Sequence, residues 1–149
     1  MNYKILIIED ETETSRFLSL ALQKEGFDVE CAENGITGLN FLKQKEFDMV
    51  ILDLKMPGMT GDEVLKELRN ISPYLQVIVY TNYGNAPIME KLINLGVEGF
   101  IKKGAEADLW GTVEFIKSKF QPINDEERKK LLNKLFEQIP TTFDNEIHS

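Results

Sequence analysis

The stretch VILDLKMPG, residues 50–58, decides how the rest of the chain is interpreted. An apolar run ends in the acid Asp53, and the pair Pro57-Gly58 breaks the pattern soon afterwards. A continuous apolar run bounded by turn residues is typical of a strand that is buried on both faces of a sheet. The sequence therefore predicts a buried strand with a carboxylate at its tip.

Four further short apolar or β-branched runs also predict strands, and segments with helical spacing lie between them. The predicted strands cover residues 3–8, 28–32, 48–53, 76–80 and 99–101. The predicted helices cover residues 14–24, 36–45, 62–70, 88–95 and 108–119. Five β-α repeats with short connections predict a parallel sheet with helices on both faces. Right-handed crossovers favour the flavodoxin-like strand order 2-1-3-4-5, so we expect a doubly wound α/β fold.

The composition excludes several classes of protein. A chain of 149 residues with 42% hydrophobic and 28% charged residues is typical of one globular domain. A net charge of -8 argues against a nucleic-acid surface, because phosphate neutralisation needs basic residues. The apolar runs are too short to span a membrane, and a single cysteine cannot form an internal disulfide. We therefore expect a cytoplasmic protein that contacts neither membrane nor nucleic acid, with Cys31 as a buried core thiol.

Polar side chains follow four of the five predicted strands. They are Glu9 and Asp10, Asp53, Thr81, and the pair Lys102-Lys103. The carboxyl ends of parallel strands meet at one edge of the sheet, where ligands bind. Clustered carboxylates repel one another unless a cation joins them, and oxygen ligands suit Mg2+. A carboxylate beside a metal and a lysine is a nucleophile that can accept a phosphoryl group. Each residue alone also fits an ordinary role as a turn cap or a solvated side chain, so the prediction rests on their convergence.

Four motifs at these strand ends resemble, in order and spacing, the response-regulator receiver domain of two-component signalling. They are IIEDE (7–11), VILDLKMPG (50–58), YTNYG (80–84) and GFIKKG (99–104), and the resemblance covers residues 3 to about 120. It implies that Asp53 accepts a phosphoryl group from the phosphohistidine of a histidine kinase or a histidine-phosphotransfer protein. It also implies Mg2+ as the cofactor, with these ligands: Glu9, Asp10, Asp53 and the backbone carbonyl of Lys55.

The resemblance further implies that Thr81 and Lys103 assist Asp53. Lys103 is chosen over Lys102 because the family has an aromatic residue three positions before its lysine, as Phe100 is here. Thr81 and Phe100 form the expected switch, although Phe100 replaces the usual tyrosine and cannot donate a phenolic hydrogen bond. Gly104 follows Lys103 at a position where the family commonly has proline. The expected output is phosphorylation-dependent contact with a downstream protein, so the chain is not expected to be a turnover enzyme.

Other functions compete with this interpretation. A degenerate receiver would act only as a binding module, but all of the reacting groups are present. The chain also fits the receiver half of a longer regulator whose output domain is missing. An aspartate-nucleophile phosphohydrolase is disfavoured, because Lys55 rather than a second aspartate stands two residues after Asp53.

The sequence divides into a receiver domain over residues 1–121 and a C-terminal extension over residues 122–149. The extension predicts one amphipathic helix over about 124–139, with Asn124 and Glu127 in a capping-box arrangement. Its apolar stripe comprises Leu131, Leu132, Leu135, Phe136 and Ile139. A lone helix of this length is marginal in water, so the stripe needs a partner. The alternatives are packing on its own receiver, a homodimer or partner helix, and a truncated linker.

Overall fold

Strands and helices alternate along the chain, as the sequence pattern predicts. The structure, a computed structural model, describes residues 2–82, 85–103, 109–121 and 125–137. The strands are β1 (Lys4–Ile8), β2 (Asp28–Ala32), β3 (Met49–Leu52), β4 (Gln76–Thr81) and β5 (Gly99–Lys102). The helices are α1 (Thr12–Lys24), α2 (Gly35–Gln44), α3 (Gly61–Ile71), α4 (Ala86–Asn94), α5 (Leu109–Ser118) and α6 (Asp125–Glu137).

The five strands form one parallel sheet in the order β2-β1-β3-β4-β5. The predicted flavodoxin-like fold with an additional C-terminal helix is therefore confirmed. The register pairs Ile8 with Leu52, Leu52 with Val79, and Thr81 with Lys102. Because these residues are the last or nearly the last of their strands, the chain leaves the sheet at one common edge.

The three central strands are buried on both faces, which explains their continuous apolar sequences. On one face, alternate strand residues pack with α2, α3 and α4 in a single core cluster. This cluster includes Leu6, Ile8, Val50, Leu52, Val77 and Val79 from the sheet, and Leu39, Val64, Leu65, Leu68 and Leu92 from the helices. The intervening strand residues face the other side, where α1 contacts β1 and β2.

Cys31 lies on the edge strand β2, and its exposure differs from the prediction. Cys31 is exposed, so its assignment as a buried core thiol is wrong. Strand β2 pairs with β1 on one side only, and its burial pattern is mostly intermediate or exposed. An edge position therefore leaves Cys31 less covered than a central strand would.

Polar caps explain why some helices begin earlier than their apolar spacing predicts. The apolar spacing predicts α4 from residue 88, but the side chain of Asn85 accepts a hydrogen bond from the N–H of Ile88 at 3.0 Å. The helix consequently begins at Ala86, with Pro87 in its first turn, where a missing N–H costs nothing. Asn34 caps α2 in the same way through the N–H of Thr37.

The chain separates into two compact units, residues 1–114 and 115–149. The second unit contains α6, which confirms the additional helix, while residues 124, 138 and 139 of the predicted segment lie outside the described residues. On α6 the side chains of Leu131, Leu132, Leu135 and Phe136 are exposed. The partner of this stripe and the functional division at residue 121 stay predictions. Within the described ranges, no helix has the length and apolar character needed to cross a membrane.

Candidate functional site

Backbone hydrogen bonds continue the sheet one residue beyond the ends of three strands. The N–H of Asp53 donates to the carbonyl of Ile8 at 3.0 Å, and the N–H of Glu9 donates to the carbonyl of Ala32 at 3.0 Å. The N–H of Lys103 donates to the carbonyl of Thr81 at 3.2 Å. These bonds fix the backbone of the polar residues, so the rigid sheet determines where their side chains begin.

Three carboxylates gather at this edge. One carboxylate oxygen from each of Glu9, Asp10 and Asp53 lies within 4.8 Å of the others. Glu9 is 2% exposed and Asp53 is 3% exposed, while Asp10 is half-buried. Buried carboxylates this close repel one another and are costly unless a cation is near. An oxygen-only donor set is also what Mg2+ prefers, so the residues present fit that ion.

Lys103, which directly follows β5, supplies a cation to the cluster. Its ammonium donates to Glu9 Oε2 at 2.7 Å, to Asp53 Oδ2 at 3.1 Å and to Glu11 Oε1 at 3.2 Å. The lysine is only 6% exposed, whereas the neighbouring Lys102 is exposed. The structure thus places Lys103, and not Lys102, against Asp53, while the role of this contact stays a prediction.

The pKa values of Glu9 and Lys103 reflect their burial and their mutual attraction. Burial raises the pKa of the Glu9 carboxyl to about 7. Hydrogen bonds from Lys103 and from the N–H of Glu11 lower this pKa, but they only partly offset the effect of burial. Burial alone would lower the pKa of the Lys103 ammonium, but its bonds to Glu9 and Asp53 outweigh this and raise it. Lys103 is therefore charged at any physiological pH, whereas the Glu9 carboxyl exchanges its proton near neutrality.

The two predicted switch residues line one cavity. Thr81, the last residue of β4, and Phe100 on β5 both contact a space of about 270 Å³. Leu54 and Met89 complete part of its wall. Phe100 is half-buried and packs against the core cluster. A rearrangement of either switch residue therefore has room to occur, and their roles stay predictions.

Lys55 and Asp10 occupy the open side of the site. The backbone N–H of Lys55 donates to Asp53 Oδ1 at 3.4 Å, and Lys55 itself is exposed. The metal-binding roles of Glu9, Asp10, Asp53 and the Lys55 carbonyl all stay predictions. Gly104, which follows the lysine, lies outside the described residues.

Sequence reasoning missed two residues that shape this site. Glu11 accepts a hydrogen bond from Lys103, although only the run of three acids in IIEDE could have indicated it. Gly61 begins α3 and donates its N–H to the carbonyl of Leu54 at 2.9 Å. A Cβ at position 61 would lie 2.5 Å from the carbonyl oxygen of Asp53 and 2.6 Å from Leu54 Cα. Glycine therefore permits α3 to approach the end of β3.

Comparison with known proteins shows the family to which the chain is similar. The family model described as response regulator receiver domain matches residues 5–113. Sporulation initiation phosphotransferase F of Bacillus subtilis (strain 168) is 34% identical over 108 residues, which is 72% of this chain and 87% of that protein. Other curated relatives, described as regulatory or transcriptional regulatory proteins, are longer, and the chain spans between 23% and 46% of their length.

Solved structures show the same fold and family. A response regulator receiver domain protein (CheY-like) from Methanospirillum hungatei JF-1 is 28% identical with a TM-score of 0.76, covering 87% of this chain and 99% of that chain. The response regulator protein TrrA from Thermotoga maritima, in complex with Mg(2+)-BeF, is 30% identical with a TM-score of 0.67, covering 78% of this chain and 97% of that chain. The chain, with its acidic strand-end cluster and buried lysine, therefore belongs to the response regulator receiver domain family of two-component signalling.

Proposed function

We propose that Asp53 accepts a phosphoryl group from the phosphohistidine of a histidine kinase or histidine-phosphotransfer protein. The observation that carries the proposal is the hydrogen bond of 3.1 Å between the Lys103 ammonium and Asp53 Oδ2, formed beside the acidic cluster. Phosphoryl transfer asks a protein mainly to align the groups and to neutralise charge. A buried carboxylate that is held by a lysine at the edge of a rigid sheet meets both requirements.

In the transfer, a carboxylate oxygen of Asp53 forms a bond to phosphorus while the bond between phosphorus and the donor histidine nitrogen breaks. The electron pair of that bond returns to the histidine, and Asp53 becomes an acyl phosphate. Lys103 stays close to the reacting carboxylate and offsets the charge of the phosphoryl oxygens. The hydroxyl of Thr81, at the end of the adjacent strand, is the proposed donor to a phosphoryl oxygen.

The acidic cluster is the proposed site for Mg2+. Glu9, Asp10, Asp53 and the carbonyl of Lys55 would hold the ion, which would neutralise negative charge on the transferred group. The oxygen-only donor set, the proximity of the three carboxylates and the Mg(2+)-BeF complex of the similar Thermotoga protein support this assignment.

The proposed output is contact with a downstream protein through α4, β5 and α5. When Thr81 moves toward the phosphoryl group, the cavity that it shares with Phe100 changes shape, and the aromatic ring follows. Because Phe100 has no hydroxyl, its two positions differ by packing alone. We propose that the protein acts in the cytoplasm as a phosphoacceptor rather than as a turnover enzyme, and that the extension modulates this output.

The test is treatment with Mg2+ and acetyl phosphate, followed by intact mass measurement. We expect wild type to gain the mass of one phosphoryl group, and Asp53→Asn to gain none while it keeps its fold by circular dichroism. Asp28→Asn is the matched control, because Asp28 is exposed and is the first residue of β2. It therefore lies where the strands begin, whereas the acidic cluster lies where they end. Uptake by Asp53→Asn at the wild-type rate would refute the assignment of the nucleophile. Rapid multiple turnover of the donor would instead indicate a phosphohydrolase.

A further inference from the structure

The Lys103 ammonium has a third carboxylate partner outside the predicted set. Glu9 and Asp53 are buried, but the side chain of Glu11 is 61% exposed. Its Oε1 accepts a hydrogen bond from Lys103 at 3.2 Å, so it approaches the ammonium from the side that faces solvent. Three carboxylates thus share a single ammonium, and one of the three can exchange it for water at little cost.

The position of Glu11 is fixed by local hydrogen bonds. Its N–H donates to Glu9 Oε1 at 3.0 Å, and its carbonyl accepts from the N–H of Ser15 at 3.1 Å in the first turn of α1. Its second carboxylate oxygen accepts from the hydroxyl of Thr14 at 3.2 Å. With the backbone held and one oxygen occupied by Thr14, the other oxygen is directed toward Lys103.

We propose that Glu11 is a positioning residue that holds the Lys103 ammonium before phosphorylation and releases it when an anionic group arrives at Asp53. This inference rests on the proposed phosphoacceptor function. A phosphoryl group on Asp53 adds oxygens that compete for the same ammonium. Glu9 and Asp53 are too buried to lose their cation without a large cost, whereas an exposed carboxylate is rehydrated immediately. Glu11 is therefore the carboxylate that loses its contact with Lys103. The strength of that contact sets how readily Lys103 pairs with the phosphoryl group.

The experiment uses beryllofluoride at saturating Mg2+ as the probe for the phosphoryl group, with the full chain. Glu11→Gln replaces the ion pair by a weaker hydrogen bond to a neutral amide oxygen, which should tighten beryllofluoride binding about two- to fivefold, the range of an exposed ion pair. Glu13→Gln is the matched control, because it removes the same charge two residues away, on the exposed first turn of α1. It should bind within experimental error of wild type.

Glu11→Asp separates contact from charge, because it keeps the negative charge on an arm too short to reach Lys103. If the contact matters, Glu11→Asp should bind beryllofluoride as tightly as Glu11→Gln does. Wild-type affinity in Glu11→Asp, combined with tighter binding in Glu11→Gln, would overturn the proposal in favour of a simple charge effect. Equal affinities in wild type, Glu11→Gln and Glu13→Gln would also overturn it.

Wild type distinguishes the failure of this inference from the failure of the proposed function. If wild type takes up a phosphoryl group and binds beryllofluoride but the Glu11 variants behave like the control, only the role of Glu11 is wrong. If wild type does neither, the phosphoacceptor function itself is wrong and the role of Glu11 falls with it. Urea unfolding of each variant verifies that the exposed substitutions leave the fold intact.

Discussion

Replacement of Lys103 by methionine tests whether this ammonium is what makes two buried carboxylates tolerable. Methionine fills much of the volume of the lysine stem but cannot donate to Glu9 at 2.7 Å or to Asp53 at 3.1 Å. Both carboxylates are almost completely buried, so neither can recover its lost partner from water. Removing one partner of a buried ion pair typically lowers the free energy of unfolding by about 3–5 kcal/mol.

The size of this loss should depend on pH because Glu9 titrates near neutrality. In wild type its pKa is about 7 in the folded state, compared with an ordinary value of 4.5. Between these values the folded protein holds a proton that the unfolded chain has released, so stability falls as pH rises toward 7. Above pH 7 Glu9 is ionised in both states of wild type, so its titration no longer changes the free energy of unfolding. Without Lys103 the pKa of Glu9 in the folded state rises further. The free energy of unfolding of the variant therefore keeps falling above pH 7, by about 1.4 kcal/mol per pH unit.

The assay is urea unfolding followed by circular dichroism, without Mg2+, at pH 6 and pH 8.5. We expect Lys103→Met to be less stable than wild type at both values, with the difference larger at pH 8.5. Lys102→Met is the matched control, because Lys102 is exposed and adjacent, and it should stay within about 0.5 kcal/mol of wild type. Equal stability of Lys103→Met and wild type at pH 8.5, or a difference that does not change with pH, would refute the reasoning.

Three further substitutions follow from other contacts. Gly61→Ala places a Cβ 2.6 Å from Leu54 Cα, so we expect a loss of about 1–3 kcal/mol in urea unfolding; wild-type stability would show that α3 is not held close. Arg69→Met removes guanidinium bonds of 2.7 and 2.8 Å to carbonyls at the end of α4, and should cost about 1–2 kcal/mol and speed amide exchange there. Unchanged exchange would contradict this. Asp10→Asn should weaken Mg2+ binding in calorimetry more than Glu9→Gln does, because Glu9 already bonds to Lys103; the reverse order would contradict that ranking.

The sequence by itself determined the architecture. The alternation of short apolar runs with helical spacing depends on burial along the chain, and parallel strands with right-handed crossovers allow few arrangements. The observed order β2-β1-β3-β4-β5 follows. The same rule predicted that Asp53 would meet the pair Lys102-Lys103, because it concerns only where strands end, and the resemblance to the family then singled out Lys103. Their separation by 50 residues did not matter once both were assigned to strand ends.

The tertiary structure alone decided which side chains touch within that edge. Whether Lys103 bonds to Glu11 depends on the direction in which α1 leaves the sheet, and no local pattern encodes that direction. The close approach of Gly61 to the end of β3 likewise depends on how α3 packs on the sheet. Cys31 shows the same limit for burial, because the alternation in DVECA places Cys31 on one face with Val29 but does not tell whether the strand is central or at an edge. Periodicity reports that a residue faces the core, whereas its coverage and partners are properties of the assembled layers.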